Sequence, residues 1–241
     1  TTVFENINDE NVTVDTFVYL AGHKGNNASV GEGLLIYQAL LYKKAHPEEE
    51  VYIDISSFRF SIEVAVNINL NSRYFGYMRS LVGKNYDEYG FVRLSYLLIS
   101  AAKMGIHVTV IGQIDGYPIS ASNPNYYEYF SSQLNDPCDP DYVEDGVIGD
   151  YMNFQHWKWS LEEKGGTDMM HTKLCAVSHY LDMNGVEHKN AVWTSSSNLD
   201  GVRSSGANGN WKQQTASIVS DHEEIYRASH NYLQLIADYC K

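Results

Sequence analysis

The fifteen residues FVRLSYLLISAAKMG, running directly into IHVTVIG, constrain the fold of this chain more than any other stretch. Apolar residues recur at helical spacing up to Gly105, which stands where a helix C-cap favours a left-handed residue. The next residues are β-branched at alternate positions and read as a strand. A helix that feeds a strand through one glycine is the repeating unit of a layered α/β fold.

The rest of the chain follows the same alternation. TFVYLAG (16–22) reads as a strand ending at Gly22, and GEGLLIYQALLYKKAHP as a helix closed by Lys43, Lys44 and Pro47. VYIDIS is a strand after the acidic turn Glu48–Glu50. Residues 61–90, rich in Asn, Tyr and Gly, read as an insertion or elaborated loop. NPNYYEYFSSQL suits a helix, and NDPCDPDYVEDGVIGD an acidic surface loop. DMMHTKLCAV and KNAVWTSSSN are consecutive strands around the polar turn DMNGVEHK. TASIVS is a further strand, and DHEEIYRASHNYLQLIADYC a last helix with Asp221 as N-cap and Glu224 completing a capping box. With no solenoid-length repeat and no Gly/Ser- or Pro-rich linker, residues 1–241 read as one α/β domain. The expected architecture is a layered, mixed β-sheet flanked by helices, and 241 residues suffice for a core of that size.

Charge narrows the function. A net charge of −13 opposes the counterion exchange on which non-specific nucleic-acid binding rests, so nucleic acid is not the expected partner. No run of about 18 apolar residues marks a membrane span. The lack of an initiator Met and of a basic segment before an apolar one fits a mature or trimmed product. The compartment stays open between an exported protein and one at a membrane surface. NVT (11–13) and NAS (27–29) fit the glycosylation pattern, which is too short to be specific.

Cys138, Cys175 and Cys240 lack metal-ligand spacing and do not make a disulfide framework, although Cys138 and Cys240 could pair in an exported protein. Cys175 reads as a small core residue. His222 and His230 fall near one helix face without a carboxylate set around them, so no metal and no cofactor is expected. His179 and His188 flank a polar turn. The 19 tyrosines suit a lipid-facing pocket or a partner interface equally well.

One stretch resists a purely structural reading. MMHTKLCAVS places His171 and Lys173 inside an apolar run. On a strand, residues two apart share a side, so imidazole and ammonium stand together while Cys175 packs beneath them. Downstream, Ser196 and Asn198 also share a side. If the two strands are neighbours, one patch holds an imidazole, a cation, a hydroxyl and a carboxamide. That set suits nucleophilic attack on phosphorus, with donors for the non-bridging oxygens.

His171-Thr-Lys173 followed by WTSSSN resembles the phospholipase D superfamily, whose pattern is His-x-Lys-x4-Asp and then a Gly-Ser-x-Asn strand end. VYIDIS, the helix ending AAKMG, IHVTVIG and SDHEEIY are similar to further motifs of that family in the same order. The resemblance implies a phospholipase D-like single repeat and a phosphodiesterase or phosphatidyltransferase acting on phospholipids without metal. It implies His171 as the nucleophile, with Lys173 and Asn198 holding phosphate oxygens and Ser196 supporting them. A nuclease of the same superfamily and a weakened phosphate-binding half-domain are the alternatives.

Departures from the pattern bear on the chemistry. The family's Asp falls on Ser178 and its Gly on Ser195. Where the family has an Asn and a histidine-orienting Glu, this chain has Asn210 and then Gln213 or Gln214. An amide fixes a tautomer but stabilises an imidazolium less than a carboxylate does. The family builds each site from two motifs, and only one complete copy is present. A homodimer or a second lobe of a longer enzyme would supply the other.

Overall fold

The computed structural model describes residues 2–5, 11–20, 28–60, 65–66, 92–113, 126–157, 172–182, 184–195, 199 and 213–240. Strands β1 (Thr2–Glu5), β2 (Asn11–Leu20), β3 (Tyr52–Arg59), β6 (His107–Gln113), β7 (Met152–Trp157), β8 (Leu174–Leu181), β9 (Glu187–Ser195) and β10 (Gln213–Val219) form a sheet ordered β1-β2-β10-β9-β8-β3-β6-β7. β3, β6 and β7 run parallel, and all other pairings are antiparallel, so the sheet is mixed, as expected. β4 (Ala65–Val66) and β5 (Val92–Arg93) pair separately, β4 inside and β5 just after the segment 61–90 read as an insertion or elaborated loop, most of which lies outside the described residues.

Alternation along the strands divides the core into two layers. Ile53, Ile55, Val108, Val110, Cys175, Val177, Ala191 and Trp193 pack on one side with helices α1 (Ala28–Ala45) and α2 (Leu94–Lys103). Ile111 and Leu174 face the opposite side, where the last helix, α4 (Glu223–Tyr239), adds Leu233, Ile236 and Ala237. The short helix α3 (Tyr126–Ser131) brings Phe130 against Phe60 and Phe154.

The predicted αβ unit forms with its glycine in the expected role. Leu94, Leu97, Leu98, Ala101 and Ala102 of α2 are buried at helical spacing. Gly105 adopts φ 74°, its N–H donates to Ala102 O at 3.0 Å, and the Ile106 N–H donates to Ala101 O at 3.0 Å. This is the Schellman closure. At the end of α1, Lys43 Nζ donates to the carbonyls of Pro47 (2.7 Å) and Glu49 (2.8 Å), tying the turn that follows back onto the helix.

Three details differ from expectation. The N-cap of α4 is His222, whose Nδ1 accepts from Ile225 N at 3.3 Å. Asp221, at φ 58°, instead accepts from Lys189 N at 2.9 Å and pairs with His188 at 2.7 Å. A carboxylate satisfying a neighbouring strand is no longer placed to cap a helix. β8 begins at Leu174, so Lys173 precedes the strand rather than lying within it. β7 follows the acidic loop where no strand was expected, its Met152 and Phe154 buried beside β6. The three cysteines are buried and free, so Cys138 and Cys240 are not paired.

Candidate active site

Pairing brings the two motif-bearing strand ends together. Leu174 of β8 lies opposite Thr194 of β9, and one step further the Ser195 N–H donates to Lys173 O at 3.3 Å. Beyond Ser195, Leu199 is fixed two strands away. Its N–H donates to Ser57 Oγ at 3.0 Å, and it forms a bridge with Phe60. β3 lies on the other side of β8, with Ser56 opposite Leu174. The backbone therefore leaves β9 beside Lys173 and is caught again at the end of β3.

Other elements end at the same sheet edge. Gln213 and Gln214 open β10 opposite Leu20 and Tyr19, next to the end of β9. The carboxyl ends of β3 and β6, at Arg59 and Gln113, pair with each other there. Outside the carboxyl ends of strands is where α/β sheets place their ligands.

Lys173 is 9% exposed, and strand alternation carried one residue back places it on the α1 side of the sheet, with Cys175. Thr172 belongs to the opposite side, its Oγ1 3.4 Å from the Tyr232 hydroxyl of α4. A buried ammonium at such an edge can hold an anion at short range in a low dielectric. The edge thus unites Lys173 with the backbone positions of Ser195, Gln213 and Gln214. His171, Ser196, Asn198 and Asn210 lie outside the described residues, as do the side chains of Gln213 and Gln214.

Ser178 stands apart from this edge, five residues along β8 from Lys173. Its Oγ accepts from Tyr52 N at 2.9 Å, lies 3.0 Å from His179 Nδ1, and shares a hydrogen bond with the Tyr226 side chain. It stitches β3, β8 and α4 together, a structural role. Cys175 is fully buried, and burial first, then the nearby carboxyls of Glu32 and Asp54, push its thiol well above the ordinary range. Such a thiol is inert as a nucleophile.

Sequence reasoning missed two acidic positions. Asp54, 1% exposed, accepts from His230 Nδ1 at 2.6 Å and from Gln234 Nε2 at 2.7 Å, and Gln234 also reaches Thr109 Oγ1 at 3.1 Å. The hydrogen bond to Asp54 raises the His230 pKa, against an opposing effect of burial. Glu32 is buried on α1 with Oε2 lacking a hydrogen-bond partner. Both had a signal: a carboxylate at an inward position of an apolar strand or helix. Among the described residues no three His, Cys, Asp or Glu groups gather as a metal site, and no helix is long and apolar enough to cross a membrane.

No protein-family model matches the sequence. No curated protein matches it either. Among solved structures the chain is similar to a polyphosphate kinase from Porphyromonas gingivalis, with a TM-score of 0.48 and 10% identity. That match covers 95% of this chain and 26% of the kinase. It is also similar to Nuc from Salmonella typhimurium, a phospholipase D family member, with a TM-score of 0.42 and 10% identity over 92% of this chain and 93% of that one. The chain therefore spans about a quarter of the kinase and nearly all of Nuc.

Proposed function

We propose that this chain is a phosphodiester hydrolase or phosphatidyltransferase of the phospholipase D type, acting on phospholipids through His171. The observation that carries the reading is the pairing of Lys173 with Ser195, together with the capture of Leu199 on Ser57. These contacts put Lys173 beside Ser195 and hold Leu199 at the neighbouring strand end, which supports a reading in which the two motifs meet.

In this reading a nitrogen of the neutral His171 imidazole attacks phosphorus, and the bond from phosphorus to the leaving alkoxide breaks. A second histidine gives the alkoxide its proton. That histidine, now neutral, takes a proton from water or an acceptor alcohol, whose oxygen displaces His171 and regenerates it. Lys173 and Asn198 hold the non-bridging oxygens, and Ser196 supports them. The second histidine comes from another copy of the chain or from a further lobe.

Turnover of phosphatidylcholine or phosphatidylglycerol by wild type and His171→Ala tests the reading. Loss of turnover together with loss of an acid-labile phosphohistidine is the expected result. Equal turnover by the two proteins removes His171 from the mechanism.

A further inference from the structure

His46, His188 and His230 each lie against a carboxylate, but they use their ring nitrogens differently. His46 gives Nε2 to Glu187 at 2.9 Å. His188 has Asp221 at 2.7 Å from Nδ1 and Asp182 at 3.7 Å from Nε2. His230 gives Nδ1 to Asp54 at 2.6 Å, and its Nε2 has no hydrogen-bond partner among the described residues.

The fold decides which nitrogen stays open. Asp54 is buried on β3 with both oxygens taken, Oδ2 by His230 and Oδ1 by Gln234 Nε2 at 2.7 Å. The Gln234 amide is held in turn by Thr109 Oγ1 at 3.1 Å, so the carboxylate cannot swing away. An ionised carboxylate only accepts, which puts the proton on Nδ1 and the lone pair on Nε2. The two nitrogens lie on opposite sides of the ring. With Nδ1 aimed at the sheet, Nε2 points away from it. The side chain is 26% exposed, and its ring is held between Tyr226, stacked at 5.8 Å, and Tyr52, edge-on at 5.8 Å. An imidazole of fixed tautomer and fixed orientation thus presents an open lone pair at the surface of α4.

Holding a metal ion would take further ligands, and among the described residues no three His, Cys, Asp or Glu groups gather. Attack on an electrophile needs only the lone pair and a neighbour that offsets the positive charge the ring gains. Asp54 is that neighbour, as the buried carboxylate of a catalytic triad is for its imidazolium. Arg227, exposed and three residues back on α4, offers a cation on the adjoining surface for an anionic group.

We propose that His230 is a phosphoryl-acceptor site, modified at Nε2 by donors with a labile P–N bond, and independent of the Lys173 edge. The Nε2 lone pair forms a bond to phosphorus as the donor's P–N bond breaks. The donor nitrogen leaves as the amine with the electron pair of that bond, and the Nδ1 proton stays on the ring against Asp54.

The test treats the whole chain with potassium phosphoramidate in mildly alkaline solution, where imidazoles are neutral. Labelling is followed by mass spectrometry of peptides kept above neutral pH. His230 is expected to take up phosphate about tenfold or more faster than His46 and His188, with phosphorus NMR placing the group on Nε2. Asp54→Asn removes the charge and lets its amide face Nδ1, which favours the other tautomer. Labelling of His230 should then fall about tenfold while that of His46 is unchanged. His230 labelled no faster than His46 and His188 overturns the proposal, as does phosphorus on Nδ1 or an Asp54→Asn protein labelled at the wild-type rate. If Asp54→Asn does not fold, the wild-type rate ratio and the nitrogen that carries the phosphoryl group decide alone.

Discussion

Asp54 accepts a hydrogen bond from His230 at 2.6 Å, joining β3 to α4 between residues 176 positions apart in the chain. Tyr226 stacks on the His230 ring at 5.8 Å and Tyr52 meets it edge-on at 5.8 Å, holding the imidazole in place. Because the folded state raises the His230 pKa, this pair stabilises fully below the unfolded histidine value of about 6.5. Its contribution is lost as pH rises through the higher folded value. His230→Ala should destabilise by about 1–2 kcal/mol in mildly acidic solution, discounted for the partly exposed ring. Urea unfolding midpoints of the two proteins should converge as pH is raised above neutrality.

Glu32 gives the same sign over a wider window. Its folded pKa, about 8, lies above the ordinary 4.5, so folding retains a proton that the unfolded chain releases. Stability is therefore greatest below about pH 4.5 and declines up to about pH 8, by as much as about 1.4 kcal/mol per unit. Glu32→Gln should flatten that slope in urea titrations. An unchanged slope would mean that another group sets it.

Lys173 is the buried cation at the candidate edge. Removing one such charge from a site that stabilises a transition state lowers kcat about 100-fold. Lys173→Ala should do so on a phosphodiester substrate, with far-UV circular dichroism unchanged. A loss below threefold would place the phosphate elsewhere.

Ser178 provides the acceptor for the Tyr52 N–H at 2.9 Å. Ser178→Ala leaves that half-buried donor without its partner, a loss of about 1 kcal/mol. The rate on a phosphodiester should stay near wild type, since the four residues 174–177 of β8 separate Ser178 from Lys173. A fall in kcat with unchanged stability would contradict its structural role.

Gly105 closes α2 at φ 74°, and a Cβ there would sit 2.7 Å from Val143 Cγ2. Gly105→Ala therefore meets both backbone strain and a clash, together about 1–3 kcal/mol. Calorimetry should show a lower Tm, while Gly185→Ala, with φ 78° but open space around it, should show the smaller backbone effect.

Much of this was legible because local rules and tertiary structure agree. The Gly105 closure needed only helical spacing followed by a glycine and β-branched residues, and the strand alternation of Cys175 and Val177 follows from period two. The side-by-side placement of β8 and β9 was foreseeable from the turn between them, where Gly185 adopts φ 78° and the Val186 N–H donates to Asp182 Oδ1 at 2.8 Å. What stayed hidden depended on distant partners. Asp221 looked like a helix cap until β9 claimed its carboxylate. Asp54 could not reveal His230 across so long a separation. β7 sets the polar Asn153 and Gln155 next to the buried Met152 and Phe154, and their mutual hydrogen bond at 2.9 Å lies within the strand, a pairing the amide-rich stretch did not announce. Glu32 was visible as a letter in GEGLL but not as an acid, because its burial depends on β8.

The anchors at Ser195 and Leu199 also act as a ruler. One strand lies between β9 and β3, so the interval to be crossed is about 10 Å. Four extended peptide steps reach about 14 Å, leaving slack of roughly one residue. A connection one residue shorter would have to run almost fully extended to keep Leu199 on Ser57, whereas a longer one meets no such limit. Related chains that keep this seat should vary here by gaining residues and not by losing them.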